Sequence, residues 1–132
     1  MTPTQQTIHV LRVSKLFHEI VEHRPAFTRI TRDLLGVIDI LVLDPRIGTL
    51  GLQVTTMPNR TARKNKIKAS KKAALWLECG NQIELWCWRK LRSGWKVNID
   101  RAFLKSYDNP AIGFLEETPN RQYYVLYGFE KL

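Results

Sequence analysis

Residues 33–56 have the sequence DLLGVIDILVLDPRIGTLGLQVTT, in which two apolar runs flank a turn at residues 45–48. The runs, residues 37–43 and 50–54, are aliphatic and β-branched, which is typical of strands covered on both faces. Asp39 lies within the first run; Gln53 and Thr55 lie two apart on the second strand and therefore share a face. An unpaired buried carboxylate costs roughly several kcal/mol, so Asp39 is expected to bind a cation, to be protonated or to accept hydrogen bonds.

The composition favours one domain, residues 1–132, with an anionic partner. With 44% apolar residues the chain is long enough for a single core without disulfides. Lys and Arg outnumber Asp and Glu by 21 to 12, and the net charge of +9 favours nucleic acid as a partner. Ribosomal and membrane-surface proteins share such a charge, so this observation alone is weak.

The sequence predicts a protein that is neither exported nor inserted in a membrane. Residues 1–10 lack the apolar core of a signal peptide, and no run of about 18 apolar residues occurs. Cys79 and Cys87 are too few for a disulfide framework and lack metal-ligand spacing, so we expect reduced thiols. A cytoplasmic location follows from these expectations.

Two amphipathic helices are predicted. Residues 7–22 repeat apolar side chains at helical spacing up to Pro25, and Glu19 and Glu22 project away from that apolar stripe. A short segment, residues 26–32, is interpreted as an edge strand. Residues 60–79 are predicted as one long helix that begins after Asn59 and ends at Gly80.

The second helix is strongly basic. Seven cations without an intervening acid lie within its first thirteen residues: Arg60, Arg63, Lys64, Lys66, Lys68, Lys71 and Lys72. Helical projection directs Arg63 and Lys66 toward the sheet. The remaining cations, Arg60, Lys64, Lys68, Lys71 and Lys72, either contact DNA phosphates or form an ordinary solvated face.

The C-terminal half alternates in the manner of strands. Residues 82–89, 97–103 and 122–129 are predicted strands, with a basic turn at residues 90–96. Their aromatic side chains either stack on bases or pack in the core. These aromatic residues are Trp86, Trp88, Trp95, Tyr123, Tyr124 and Tyr127.

The order helix, strand with Asp39, turn, strand with Gln53 and Thr55, basic helix, strand resembles the PD-(D/E)XK nuclease superfamily, including small phage-encoded Holliday junction resolvase-like proteins. This resemblance covers residues 7–92. It implies an α/β fold with a restriction-endonuclease-like αβββαβ core, a mixed central sheet flanked by helices. Residues 93–132 would form a C-terminal β-rich extension. A bacterial or phage-infected cell is the setting that the resemblance implies.

The resemblance also implies a Mg²⁺ or Mn²⁺ cofactor. In the superfamily an Asp on one strand and an acid-x-Lys on the next bind the metal and position the attacking water. Asp39 matches the metal-binding aspartate, Gln53 the second acid and Thr55 the lysine. Arg63 or Lys66 would supply the missing cation.

Further residues of the site follow from the same resemblance. Asp33 would add a second carboxylate as a metal ligand, and Glu19 or Glu22 corresponds to the helix glutamate that some resolvases use. A homodimer is the family expectation, because a four-way junction has two symmetric cut sites.

Simpler structural roles remain open for these residues. Asp39 would then be bonded to the backbone or to an inner arginine such as Arg63. Gln53 and Thr55 would form a hydrogen-bonding pair on the sheet surface, and Asp33 would be a turn or capping residue.

The expected function is Mg²⁺-dependent endonucleolytic hydrolysis of branched or duplex DNA. The alternative is a catalytically inactive protein of the same fold that binds DNA or protein, for example a phage factor, because Gln53 and Thr55 depart from the family pattern. A third hypothesis is an unrelated RNA-binding protein that uses the aromatic strands.

Overall fold

The computed structural model of the chain describes residues 1–22, 32–105 and 111–117. A helix is followed by three strands, a short 3-10 helix, two α-helices and three further strands. They are α1 (Pro3–Val13), β1 (Phe17–Ile20), β2 (Ile40–Asp44), β3 (Gly48–Thr56), the 3-10 helix Met57–Asn59, α2 (Arg60–Lys68), α3 (Lys71–Glu78), β4 (Gln82–Leu91), β5 (Gly94–Leu104) and β6 (Ile112–Glu117). Within these ranges no helix has the length and apolar character needed to cross a membrane.

The strands form one mixed sheet in the order β1-β2-β3-β4-β5-β6. β3 and β4 are parallel, and every other neighbouring pair is antiparallel. Parallel neighbours need a long connection, which α2 and α3 provide. The predicted α/β class with a mixed sheet flanked by helices is therefore confirmed, and β5 and β6 of the predicted extension continue the same sheet.

The first helix differs from the predicted helix at residues 7–22. It begins at Pro3 because Thr2 and Gln5 form a reciprocal capping box, which satisfies backbone N–H groups of the first turn. It ends at Val13, and Lys15 then has a φ of 57°, which turns the chain toward the sheet. Residues 17–20 form the edge strand β1 instead of helix, so the helical prediction for them was wrong.

The predicted helix at residues 60–79 is two helices. α2 ends at Lys68, and the Ser70 hydroxyl accepts a hydrogen bond from the Ala73 N–H at 3.0 Å, which starts α3. The predicted end at Gly80 is confirmed, because this glycine has a φ of 87° and its N–H donates to the carbonyl of Leu77.

Each face of the sheet carries a separate apolar core. α1 covers one face through Val10 and Leu11, which join inward side chains of β2 to β5 such as Leu52 and Trp86. α2 and α3 cover the other face through Ile67, Ala73 and Ala74, together with side chains of β4 to β6. On the central strand β3, Leu50, Leu52 and Val54 therefore face α1, while Gln53 and Thr55 face the basic helices.

The strand predictions are largely confirmed. β2 and β3 form the expected hairpin, and β4 and β5 include residues 82–89 and 97–103. The predicted basic turn at residues 90–96 is shorter, because β4 continues to Leu91 and β5 begins at Gly94. The predicted strand at residues 122–129 lies outside the described residues, as does nearly all of the predicted edge strand at residues 26–32.

The tryptophans of β4 are core residues. Trp86 and Trp88 are 0% and 4% exposed, and their indole N–H groups donate to Glu84 and Thr7 respectively. Neither ring is open for base stacking, which leaves packing as their role. Trp95 is half-buried against the α1 core, and the three tyrosines lie outside the described residues.

Candidate metal centre

Asp39 is the residue around which the candidate site is built. It immediately precedes β2, where its backbone N–H donates to the Leu52 carbonyl at 2.8 Å and its carbonyl accepts from Val21 at 2.9 Å. Its side chain is buried, and its Oδ2 accepts hydrogen bonds from Gln53 Nε2 at 2.7 Å and from the Val54 N–H at 2.9 Å. The carboxylate therefore gains polar neighbours through the pairing of these two segments, and of the roles expected from the sequence it fulfils that of a hydrogen-bond acceptor.

Gly51 on β3 allows the segment that precedes β2 to lie close to the backbone of β3. A Cβ atom at Gly51 would lie 2.6 Å from Cδ1 of Ile38, which is closer than real Cβ contacts. The side chain of Ile38 thus lies directly on the backbone of β3, and the chain continues from it into Asp39. The absent side chain at position 51 helps to place the carboxylate beside Gln53.

Three carboxylates converge at this point. Glu22, Asp33 and Asp39 each offer an oxygen, and these atoms lie within 4.8 Å of one another. Glu22 is exposed, Asp33 is half-buried and Asp39 is buried, so the group extends from the surface into the protein. A group of this kind could hold a metal ion, and its oxygen ligands suit a hard cation.

The charges of the cluster are incompletely compensated. Burial, the hydrogen bond to Asp33 and the negative charges of Asp33 and Glu22 together raise the pKa of Asp39 to about 7, although the hydrogen bond from the Val54 N–H opposes this increase. Burial also opposes ionisation of Asp33, but hydrogen bonds from Asp39 and Lys66 and the charge of Lys66 lower the pKa of Asp33 overall. Below about pH 7 Asp39 is therefore the carboxyl group that holds the proton, and added positive charge would favour its release.

Gln53 contributes an unusual buried oxygen. The side chain is 1% exposed, and while Nε2 donates to Asp39, Oε1 has no hydrogen-bond partner among the residues that the structure describes. Such an oxygen costs about 1–3 kcal/mol when it stays unsatisfied. Rotation of the amide by half a turn would exchange Oε1 and Nε2, so that an oxygen would face the same space as the Asp39 carboxylate.

One of the two inward cations predicted from the sequence reaches the cluster. Lys66 Nζ lies 3.2 Å from Asp33 Oδ2 and keeps 42% of its side chain exposed. Arg63 makes no ion pair with the described carboxylates. Thr55 is directed elsewhere, since its hydroxyl accepts a hydrogen bond from Asn59. The structure thus brings together Asp39, Gln53, Asp33 and Lys66, and it does not bring Thr55 or Arg63 into this group.

Two of the cations predicted to contact DNA are engaged within the protein. Arg60 donates two hydrogen bonds of 2.8 Å to the fully buried Asp100, and Lys64 Nζ lies 3.5 Å from the same carboxylate. Asn98 donates a further hydrogen bond at 3.2 Å. The Asp100 carboxylate raises the pKa of Arg60 further above its usual range. This second cluster is saturated with donors.

The other three predicted contacts lie at the surface of α2 and α3. Lys68, Lys71 and Lys72 are exposed, and Lys68 Nζ lies 5.9 Å from the centroid of the Phe114 ring, which Lys64 also approaches. These lysines keep their charges accessible to solvent.

Sequence reasoning offered Glu22 only through the resemblance and misplaced it, and it missed Asp100. Glu22 was assigned outward on a helix, whereas it follows the edge strand β1 and joins the acidic group. Asp100 was not considered at all. The run 17–20, FHEI, does not alternate in the manner of a strand, so the local sequence contains no signal for the strand that precedes Glu22. For Asp100 the signal was an acid at a strand position that faces the helices.

Comparison of the chain with protein-family models, with curated proteins and with solved structures finds no match.

Proposed function

We propose that the protein is a divalent-metal-dependent endonuclease of the PD-(D/E)XK superfamily that hydrolyses phosphodiester bonds in branched or duplex DNA. The observation that carries the proposal is the convergence of Glu22, Asp33 and Asp39 beside the Gln53 amide and the Lys66 ammonium. The element order supports it, because a helix, three antiparallel strands, a helical crossover and a parallel strand lead to the same point.

The donor set fits Mg²⁺ or Mn²⁺. Asp39, Asp33 and Glu22 would hold the ion through carboxylate oxygens, and the Gln53 oxygen would join them after a rotation of the amide that gives up its hydrogen bond to Asp39. When bound, such an ion activates water and offsets negative charge on the phosphate. Asp39 has to lose its proton for this, which the positive charge of the ion favours.

Lys66 takes the place that Thr55 cannot fill. Its ammonium group is already beside the carboxylates and is partly exposed, so it can turn from Asp33 toward a phosphate oxygen. There it would stabilise negative charge that develops during hydrolysis. Lys68, Lys71 and Lys72 supply exposed positive charge along the same pair of helices, where the DNA backbone would lie.

The experiment is cleavage of labelled four-way-junction, duplex and single-stranded DNA in Mg²⁺ or Mn²⁺ at low salt. Wild type is compared with Asp39→Asn, which removes the central ligand, and with Glu19→Gln, which removes an exposed acid of β1 outside the cluster. Binding to the same DNA is recorded in chelator. We expect metal-dependent cutting by wild type and Glu19→Gln, at least about a hundredfold slower cutting by Asp39→Asn, and unchanged binding.

Two outcomes would count against the proposal. Cutting that survives Asp39→Asn would mean that activity comes from elsewhere or from a contaminant. Tight, salt-sensitive binding without cutting in either metal would instead support the inactive binding module. The resemblance to resolvases also implies a homodimer, which sedimentation of the protein with and without junction DNA would test.

A further inference from the structure

A polar cavity lies on the face of the sheet that α2 and α3 cover, at the end away from the candidate metal centre. It has a volume of about 470 Å³ and is bordered by the 3-10 helix, the start of α2 and strands β4 to β6. Its charged lining consists of Arg60, Arg89, Lys96 and Glu116. It does not share any of these residues with the candidate metal centre.

Two of its cations are placed against each other. Arg89 on β4 and Lys96 on β5 are directly opposite in the antiparallel register, so their side chains leave the same face of the sheet. Like charges at such positions repel, because the two Cβ atoms of directly opposite residues are only about 5 Å apart. This arrangement costs stability unless an anion lies between the two groups.

The nearby acids do not supply that anion. Asp100 is fully buried and is engaged by Arg60, Lys64 and Asn98. Glu116 lies 3.6 Å from Arg60. These two acids and two cations balance each other, and within the part of the chain that the structure describes neither Arg89 nor Lys96 has an ion-pair partner.

We propose that the cavity between Arg89, Lys96 and Asn98 is a binding site for a phosphate group. Both cations are exposed and can turn toward an oxyanion, and the volume is ample for one phosphate with its water. The phosphate belongs either to a nucleic acid backbone or to a free phosphate compound. In its nucleic acid form the inference rests on the proposed function, as a contact remote from the metal centre.

The test uses the double variant Arg89→Gln/Lys96→Gln. Its matched control is Lys90→Gln/Arg92→Gln, which removes the same charge from the same hairpin at exposed residues that do not line the cavity. Affinity for a short labelled duplex is measured by fluorescence anisotropy in chelator, over about 50 to 200 mM salt. No metal and no cleavage are needed, so a protein that binds DNA without cutting it would still give this readout.

We expect the cavity variant to bind DNA about tenfold or more weakly and to lower the slope of log K against log salt by about 2, since two phosphate contacts are lost. The control loses only the unspecific attraction of its charges. Equal losses in both variants would overturn the nucleic acid form of the inference.

A second arm measures thermal unfolding in inorganic phosphate against chloride at equal ionic strength. Phosphate that stabilises wild type and the Lys90→Gln/Arg92→Gln control, but not the cavity variant, supports the site. If this result accompanies equal DNA losses, the ligand is a free phosphate compound. If phosphate stabilises all three proteins equally and the DNA losses are equal, the inference fails.

Discussion

Two buried aspartates face the basic helices from opposite halves of the sheet, and their surroundings differ in sign. Asp100 on β5 receives Arg60, Lys64 and Asn98, so its charge is neutralised by donors. Asp39 beside β2 meets two other carboxylates and one amide, and the nearest ammonium binds Asp33. The cluster around Asp100 holds α2 against β5, whereas the cluster around Asp39 still needs positive charge.

The comparison shows how a basic helix can serve two purposes. The N-terminal end of α2 uses its cations to fasten the helix to β5, whereas Lys66 near its C-terminal end stays partly exposed beside the acidic group. Perturbed carboxyl groups without a stable counter-ion are typical of functional sites, and saturated ion networks are typical of structural ones. The number of cations along a helix does not distinguish a functional site from a structural ion network.

The largest effect on stability is expected at the saturated site. Asp100→Ala leaves Arg60 and Lys64 without their carboxylate, which we expect to lower the free energy of unfolding by about 3 kcal/mol. That is the low end for breaking a buried pair, because Arg60 keeps 27% of its side chain exposed. Urea denaturation measures the loss. Glu116→Ala, which removes an exposed acid, should cost less than about 0.5 kcal/mol; equal losses would remove the distinction.

The pH dependence of stability should come from the other site. The pKa of Asp39 is raised from 3.8 to about 7, so the folded protein binds more protons than the unfolded chain between these values. The free energy of unfolding of the metal-free protein therefore falls as pH rises through this window, by about 2 kcal/mol between pH 5 and 7. The lowered pKa of Asp33 acts below this range.

Urea denaturation in chelator at both pH values, with wild type and Asp39→Asn, measures this contribution. The substitution removes the titrating group, so the variant should lose about 2 kcal/mol less than wild type on going from pH 5 to 7. Parallel pH curves for the two proteins would show that Asp39 is as well compensated as Asp100.

A divalent metal should stabilise only a protein with an intact acidic cluster. At a Mn²⁺ or Mg²⁺ concentration ten times Kd, binding to the folded state adds about 1.4 kcal/mol. Asp39→Asn should abolish this gain, and Glu19→Gln should keep it. Thermal unfolding against KCl of matched ionic strength measures the effect. A gain that persists in Asp39→Asn would place the metal somewhere else.

The smallest effect on stability is expected for Lys66. Its ion pair with Asp33 is partly exposed, so Lys66→Gln should change the free energy of unfolding by no more than about 0.5 kcal/mol. Cutting should nevertheless fall at least about tenfold if Lys66 stabilises charge on the phosphate. Lys72→Gln, on the surface of α3, is the control for general loss of positive charge. Equal cutting by the two variants would assign Lys66 to DNA attraction only.

The central strands were predictable from sequence because their signals are local. The apolar runs at residues 37–43 and 50–54 and the turn between them are sufficient for a hairpin, and the pairing then carries Asp39 to Gln53. The inward direction of Lys66 followed from helical projection. These predictions needed only the periodicity of one element and one strand pairing.

The predictions were wrong where tertiary contacts determine the local structure. Apolar residues 16, 17, 20 and 21 continue the helical spacing of α1, yet the chain leaves the helix at Lys15 and pairs with β2. Glu22 was lost with that helix. The break at Ser70 interrupts a run of Lys and Ala, which are good helix formers. The engagement of Arg60 and Lys64 depends on Asp100, forty residues away in the sequence for Arg60.

Gly51 shows that a position in this protein can be sensitive to substitution without contributing a functional group to the site. Gly51 contains no functional group, yet a Cβ atom there would lie 2.6 Å from Cδ1 of Ile38, so the side chain that precedes Asp39 would have to shift. A survey of random variants selected for activity would therefore single out this glycine together with the acidic residues. Its importance would be steric, since the space above β3 at this position is already filled by the side chain of Ile38.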